Sequence, residues 1–393
     1  MTTPFPFVAG QVLTAAQLND IQNLPISDKT ASYTLVVADV YKRTIMNNAS
    51  ATTITVNNSI FTVGDVIQVA NKGAGACTIT AGAGVTINTS GSLALAQYGG
   101  GYLLALSAST FTFFNLGGGG ATIPSAVNYL VVAGGGGGGD GDGVTFNGAG
   151  AGAGGVRSTV TATGGGGSLE TAFVPNSGVT YTITVGAGGA SNSPGVDSSI
   201  AGTGLTTITS TGGGRGKGTN TSANGGSGGG GRAASTAGGT GTANQGYAGG
   251  ANTSSAAGAG GGGANAVGGA GASNIGGTGG AGIAVAISGS SVTYGGGGGG
   301  GGTTAGAGGA GGGASSAGLN IVPTAATANT GGGGGGATAA VATAGGLGGS
   351  GVVIVRTPNT DSLANSVTGA AITFPTGFIV YTFTSSGTIK WGA

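Results

Sequence analysis

The placement of glycine constrains this chain more than any other feature. Of 99 glycines in 393 residues, ten precede Leu116 and four follow Gly351, so 85 fall between Gly117 and Gly351. Each glycine held in a fixed conformation is disfavoured by roughly 0.5–1 kcal/mol relative to alanine. Glycine richness without a period ordinarily accompanies disorder. Collagen is excluded, because glycine does not fall at every third position and the chain has only 9 prolines. The region is nevertheless bracketed by apolar, β-branched stretches, Asn128–Ala133 at its start and Val352–Arg356 at its end, which argues for order.

Order in such a stretch requires a dense lattice of backbone hydrogen bonds, each contributing only about 0.5–1.5 kcal/mol net. Extended left-handed helices with three residues per turn have no internal hydrogen bonds and turn all their backbone groups sideways. Bundled as polyglycine II, they satisfy one another wherever glycine lies at the contacts. The runs Gly134–Gly139, Gly228–Gly231, Gly260–Gly263, Gly295–Gly302 and Gly331–Gly336 are the predicted buried rods, with the intervening Ala, Ser, Thr and Asn stretches as surface and turns.

The rest of the chain predicts an all-β protein with one short helix. In residues 1–26, Thr14 with Gln17 forms a capping box, Leu18, Ile21 and Leu24 follow at spacing three, and Pro25 stops the helix. Together with Phe5, Phe7 and Leu13 these residues make an apolar docking surface. Residues 27–116 hold short β-branched and aromatic runs separated by Asp, Asn and Gly turns, which predicts a small antiparallel sandwich or barrel. The glycine-rich scaffold is expected over 117–357 and a C-terminal β unit over 358–393. Cys77, the single cysteine, is expected as a small apolar residue within a strand.

Catalysis finds little to work with. The chain has no histidine, so the commonest general base is missing. Its nine carboxylates are scattered, apart from Asp140 and Asp142 in Gly-Asp-Gly-Asp-Gly, a turn without further acidic ligands for a metal. The stretch Gly212–Thr219 lacks phosphate-loop spacing. A net charge of +1 provides no track for nucleic acid. No run reaches the roughly 18 apolar residues of a spanning helix, and no basic, apolar leader opens the chain. No cofactor, metal or catalytic residue is therefore assigned, and the expectation is not an enzyme.

Binding is expected instead from segments that join the rods, since loops on rigid scaffolds carry function. The rare polar, charged and aromatic residues there form four groups: Arg215, Lys217, Asn220 and Arg232; Asn244, Gln245, Tyr247 and Asn252; Asp140, Asp142, Phe146 and Asn147; and Asn320 with Asn329. Aromatic faces beside amides and hydroxyls suit a surface glycan or a protein loop.

Several blocks resemble the glycine-rich tail proteins of bacteriophages, particularly phages of marine bacteria and cyanobacteria. These are Asn128–Gly139, Tyr181–Gly189, Gly348–Arg356 and Thr382–Trp391, and the Phe7–Asn19 stretch is similar to the opening of many phage tail and fibre proteins. The resemblance implies a virion tail fibre or receptor-binding adhesin, with polyglycine II bundles displaying binding loops. It further implies a homotrimer docked to other virion tail proteins through its N-terminus, contacting a host glycan or outer-membrane protein, and assembled in the host cytoplasm. Capsid-attached fibre or decoration proteins and glycine-rich ice-binding proteins are the alternative readings, the latter weakened by the absence of a strict three-residue glycine period.

Overall fold

A computed structural model describes residues 24–392, apart from 90–91, 117–122, 144–146, 219–221, 233–236, 253–255, 317, 319–321 and 340–343. The chain divides into two compact units, Met1–Thr122 and Ile123–Ala393. Both are β-structured, and helix among the described residues is limited to two 3₁₀ turns, Val37–Tyr41 and Gly164–Gly166. The helix expected in residues 1–26, with Phe5, Phe7, Leu13, Leu18 and Ile21, lies outside the described residues, and Leu24 is half-buried ahead of the first strand.

The first unit contains β1 (Ile26–Lys29), β2 (Tyr33–Thr34), β3 (Arg43–Met46), β4 (Thr52–Val56), β5 (Val66–Asn71), β6 (Cys77–Ala81), β7 (Thr86–Thr89), β8 (Ala94–Leu95), β9 (Gly100–Ala105) and β10 (Thr110–Asn115). From β1 to β9 successive strands alternate between two sheets, ordered β1-β3-β5-β9-β10-β7 and β2-β4-β6-β8, and β10 stays beside β9. The antiparallel module expected from sequence is corrected here. β1, β3 and β5 run parallel, as do β2, β4 and β6, and β7 pairs parallel with β10. Only β8 and β9 pair antiparallel with their neighbours.

Period-two patterning fixes which side chains face inward but not the direction of the neighbouring strand. Here the chain crosses the core after each strand through β8, so sequence neighbours face each other and coils stack as a short solenoid. Arg43 lies beside Gln68 and Thr52 beside Cys77, an offset of 25 residues in both sheets. Met46, Ile54, Val56, Ile67, Val69, Cys77 and Ile79 fill the interior, closed by Phe111 edge-on against Phe61 at 6.1 Å. Outside, Thr55 and Thr80 stack with hydroxyls 3.1 Å apart. Buried Asn71 turns one corner, its amide donating to the Gly75 and Leu95 carbonyls and its oxygen accepting from Gly73.

The second unit is built on one large sheet. Its strands are β11 (Asn128–Val132), β12 (Val156–Ser158), β13 (Thr180–Thr184), β14 (Ser198–Gly202), β15 (Leu205–Ser210), β18 (Val352–Pro358), β19 (Ser366–Thr373) and β20 (Phe378–Lys390), while β16 (Ile283–Val285) and β17 (Val292–Tyr294) form a separate hairpin. The order is β12-β11-β18-β20-β13-β14-β15, with β19 also on β20, so the strands within the expected C-terminal unit, β19 and β20, belong to this sheet. The two strands that bracket the glycine-rich region pair with each other, Val132 opposite Val352. Both faces are covered. Tyr129, Val131, Val353, Val355, Tyr381 and Trp391 pack on one side, and Leu130, Val132, Val352, Ile354, Val285 and Tyr294 on the other.

Beyond the strand ends, the glycine runs are bonded in rotation. Gly134 and Gly137 donate to Val196 and Ser193; Gly135 and Gly138 to Gly349 and Gly346; Gly136 and Gly139 to Gly152 and Ala149. Their carbonyls accept from three further segments, through Gly189, through Gly213 and Gly216, and through Gly334 and Ala337. Segment 148–155 is likewise surrounded. It donates to segments 331–337, 211–217 and 259–262, and accepts from 133–139, 227–230 and 298–301. Each direction recurs every third residue.

All five glycine runs singled out above are buried. A methyl group added at Gly134, Gly150 or Gly298 would overlap the carbonyl of Ala187, Gly298 or Gly334, respectively. Alanine is not confined to the surface, however. Ala149, Ala151, Ala153, Ala259 and Ala337 are fully buried within the same array.

Replacing Gly150 with valine drives a branched side chain into the Gly298 backbone, and the expected loss is about 2–3 kcal/mol. Gly318, whose added methyl would meet nothing closer than 3.9 Å, is expected to accept alanine without a change in melting temperature. Thermal unfolding of the two variants checks both.

Candidate functional site

The residues proposed for binding separate into two places along the glycine array. One lies at the root, next to the large sheet, and the other where the segments turn back.

At the root, the 3₁₀ turn Gly164–Gly166 faces the loop carrying Asn244, Gln245 and Tyr247. Asn244 has a left-handed backbone, φ 60°, a conformation that asparagine tolerates better than most residues. The Gln245 side-chain oxygen accepts from the Thr211 amide at 2.8 Å, and its backbone carbonyl accepts from Val156, the first residue of β12. Asn329 also lies here, donating its backbone amide to Ser350 Oγ at 3.0 Å and accepting from that hydroxyl at 3.1 Å.

Beside this loop opens a polar cleft of about 510 Å³, lined by Arg157, Ser168, Glu170, Thr171, Asn244 and Gln245. Arg157 and Glu170 were not anticipated from sequence, and their spacing of 13 residues across a strand and a turn carried no signal. Arg157 donates Nε to Glu170 Oε1 at 2.6 Å and Nη2 to Oε2 at 2.7 Å, a two-pronged pair of the strong kind. Tyr129 donates its hydroxyl to the same carboxylate at 2.6 Å, and Arg157 Nη1 reaches the Thr209 carbonyl at 3.1 Å. Both carboxylate oxygens of Glu170 are thus hydrogen-bonded, and the pair ties β12 to β11 and β15.

Where the segments turn back, charges distant in sequence meet. Arg232 Nη2 lies 3.4 Å from Asp142 Oδ2, with the arginine side chain 7% exposed. Burial pushes the Arg232 guanidinium below its ordinary value, opposed by the charges of Asp142 and Asp140. Asp140 accepts from Ser191 Oγ at 2.5 Å and from the Gly345 amide at 3.2 Å. Asn147 donates to the Ala256 carbonyl at 2.6 Å and accepts from Ala339 at 2.7 Å, and Asn252 donates to Ala257. These amides join neighbouring segments. Arg215 and Lys217 lie half-buried in segment 211–217, where the Lys217 carbonyl accepts from Ala149 and the Arg215 Nε has no hydrogen-bond partner among the described residues. Phe146, Asn220 and Asn320 lie outside the described residues.

Among the described residues, no group of three or more His, Cys, Asp or Glu side chains could hold a metal ion. No helix among them is long and apolar enough to cross a membrane.

The first unit carries a further surface. Across the outer face of its larger sheet run Arg43, Gln68, Tyr102 and Phe114, each opposite the next on adjacent strands. A groove of about 250 Å³ borders this row and includes Tyr98.

A family model described as a glycine-rich domain matches residues 121–358. No curated protein is detectably similar to the chain.

Burial, then the hydrogen bond and charge of Glu170, push the Tyr129 hydroxyl well above its ordinary value of 10, against the opposing Arg157 charge. A raised folded-state value means that the stabilisation is complete below about pH 10 and is lost as pH climbs beyond it. Burial raises Tyr294 and Tyr381 in the same direction. The melting temperature is therefore expected to fall above about pH 10. Tyr129→Phe should lose about 1.5–3 kcal/mol at neutral pH and show a shallower alkaline decline in a pH series of thermal melts.

Proposed function

The chain belongs to the glycine-rich domain family, and from that premise we propose that it is a structural, adhesive protein of a bacteriophage virion, a tail fibre or receptor-binding adhesin. The single observation that carries the reading is the rotating hydrogen-bond pattern of the glycine array, in which successive amides address three different neighbours and the pattern repeats every third residue. A polyglycine II bundle, whose strands have three residues per turn, would give such a repeat, and this supports the reading. Such a bundle is stiff, because interior segments such as 134–139 and 148–155 are each held by six others. It is also chemically bland, which suits a protein that must hold contact loops away from its base. At about 3.1 Å per residue, the stretch through the rod Gly134–Gly139 would carry the Asp140 turn roughly 25 Å from the end of β11 at Val132.

On this reading the turns around Asp140, Asp142, Lys217, Arg232 and Asn252 form the tip that meets a host glycan or outer-membrane protein. The Asp142–Arg232 pair and the Asn147 and Asn252 amides brace the tip, leaving contact to the residues around them. The N-terminal segment docks to other tail proteins, the particle is assembled in the host cytoplasm, and the fibre is a homotrimer. Support for the virion role comes from the order of the sequence blocks described above, together with the scarcity of catalytic side chains.

Adsorption competition tests the proposal. Purified chain is expected to bind susceptible cells and to reduce phage adsorption in proportion to its concentration. Protein that neither binds cells nor blocks infection would remove the receptor-binding role. Light scattering that returned a monomer would remove the trimer.

A further inference from the structure

We propose that the outer face of the first unit's larger sheet binds an acidic saccharide, with the sugar ring between Tyr98 and Tyr102 and its carboxylate on Arg43. The site lies within the first unit and does not depend on the rods or their tips.

Strand register builds the site. Tyr102 on β9 lies opposite Gln68 on β5, and Gln68 lies beside Arg43 on β3. One row along, Ala70 is opposite Gly100, so two minimal side chains leave a trough beside a row of long ones. A methyl group added at Gly100 would press on the Val69 carbonyl at 2.9 Å and on Ala70 Cβ at 3.2 Å. Glycine therefore sets the floor. The far wall is Tyr98, whose backbone has φ 64°. For a bulky residue this is an outlier that costs of order 1–3 kcal/mol. The strain hides nothing from water, since the residue is 75% exposed. What it does is hold an aromatic face over the trough, anchored by the Tyr98 amide donating to the Asn71 carbonyl at 2.5 Å.

Arg43 closes one end. Its Nε donates to Gln68 Oε1 at 3.2 Å, which fixes the guanidinium plane. Among the described residues Arg43 makes no ion pair, although Asp28 lies only one row away, opposite Ile45. A planar, oriented, unpaired guanidinium is the group that recognises a carboxylate through two parallel hydrogen bonds. A pyranose offers an apolar face of C–H groups and a rim of hydroxyls, and two tyrosines provide flat faces with hydroxyl tips that match both. The charge on Arg43 selects an acidic ring over a neutral one. The groove, of about 250 Å³, suits one ring. A stable protein partner would need to bury roughly 1,000 Å² or more.

The test uses the full chain, with 3′-sialyllactose and trigalacturonate as acidic probes and lactose and maltotriose as neutral ones, followed by titration calorimetry and saturation-transfer NMR. At least one acidic probe is expected to bind, at least about tenfold more tightly than its neutral counterpart. Tyr102→Ala and Arg43→Gln should each weaken it at least about tenfold with unchanged melting temperature. Tyr98→Asn keeps a residue that accepts the left-handed backbone, so it should fold normally and still lose affinity. Absence of binding by both acidic probes would overturn the assignment. So would equal binding of neutral probes, or wild-type affinity in the Tyr102 and Arg43 variants.

Discussion

The second unit depends on backbone amides finding partners without help from side chains. In an ordinary core, apolar surface drives collapse and hydrogen bonds follow. In the glycine array there is almost no apolar surface beyond a few alanine methyls, and the buried N–H and C=O groups must pair or impose a heavy cost. The array meets that demand by close approach. Segment 148–155 lies against six neighbours, and for most of its contacts no side chain intervenes. Removing the Cβ is what lets carbonyl and amide come within bonding distance on all sides.

A lattice of that kind has no intrinsic edge and no preferred register, so something else must set both. The large sheet does this. Its apolar strands β11, β18, β13, β14 and β15 lead into or out of the array, and their antiparallel pairing continues into the segments that extend those paired strands, while other neighbours, such as 211–217 beside 134–139, run parallel. Bonds such as Ala133 to Gly155 continue the ladder without a break. Trp391, Tyr181 and Tyr381 pack together on one face, with ring centroids 6.0 and 6.3 Å from the tryptophan, and give the sheet the side-chain core that the glycine segments lack.

Much of this was legible in the sequence, for identifiable reasons. Unbroken apolar runs at Asn128–Ala133 and Val352–Arg356 marked strands buried on both faces, and long glycine runs marked buried segments. The parallel solenoid was not read, because alternation in strands such as Thr52–Val56 reports the inward face and is silent on strand direction. A signal existed nonetheless: Ala51-Thr-Thr-Ile-Thr recurs as Ala76-Cys-Thr-Ile-Thr, at the 25-residue offset of the stacked coils. The pairing of Asp142 with Arg232 and the row from Arg43 to Phe114 were hidden for a different reason. Both arise from register between segments far apart in the chain, and neither leaves a local motif.

The pairing of β11 with β18 has a consequence for how such a chain changes over time. These strands close a loop of more than two hundred residues, and the entropic cost of closing a loop rises by only about 0.6 kcal/mol for each doubling of its length. Insertion or deletion of two antiparallel segments leaves both strand ends in place and shifts that cost very little. The sheet can thus remain constant while the array and its turns are rewritten, so that the fold tolerates change in the turns and confines its constraint to the base.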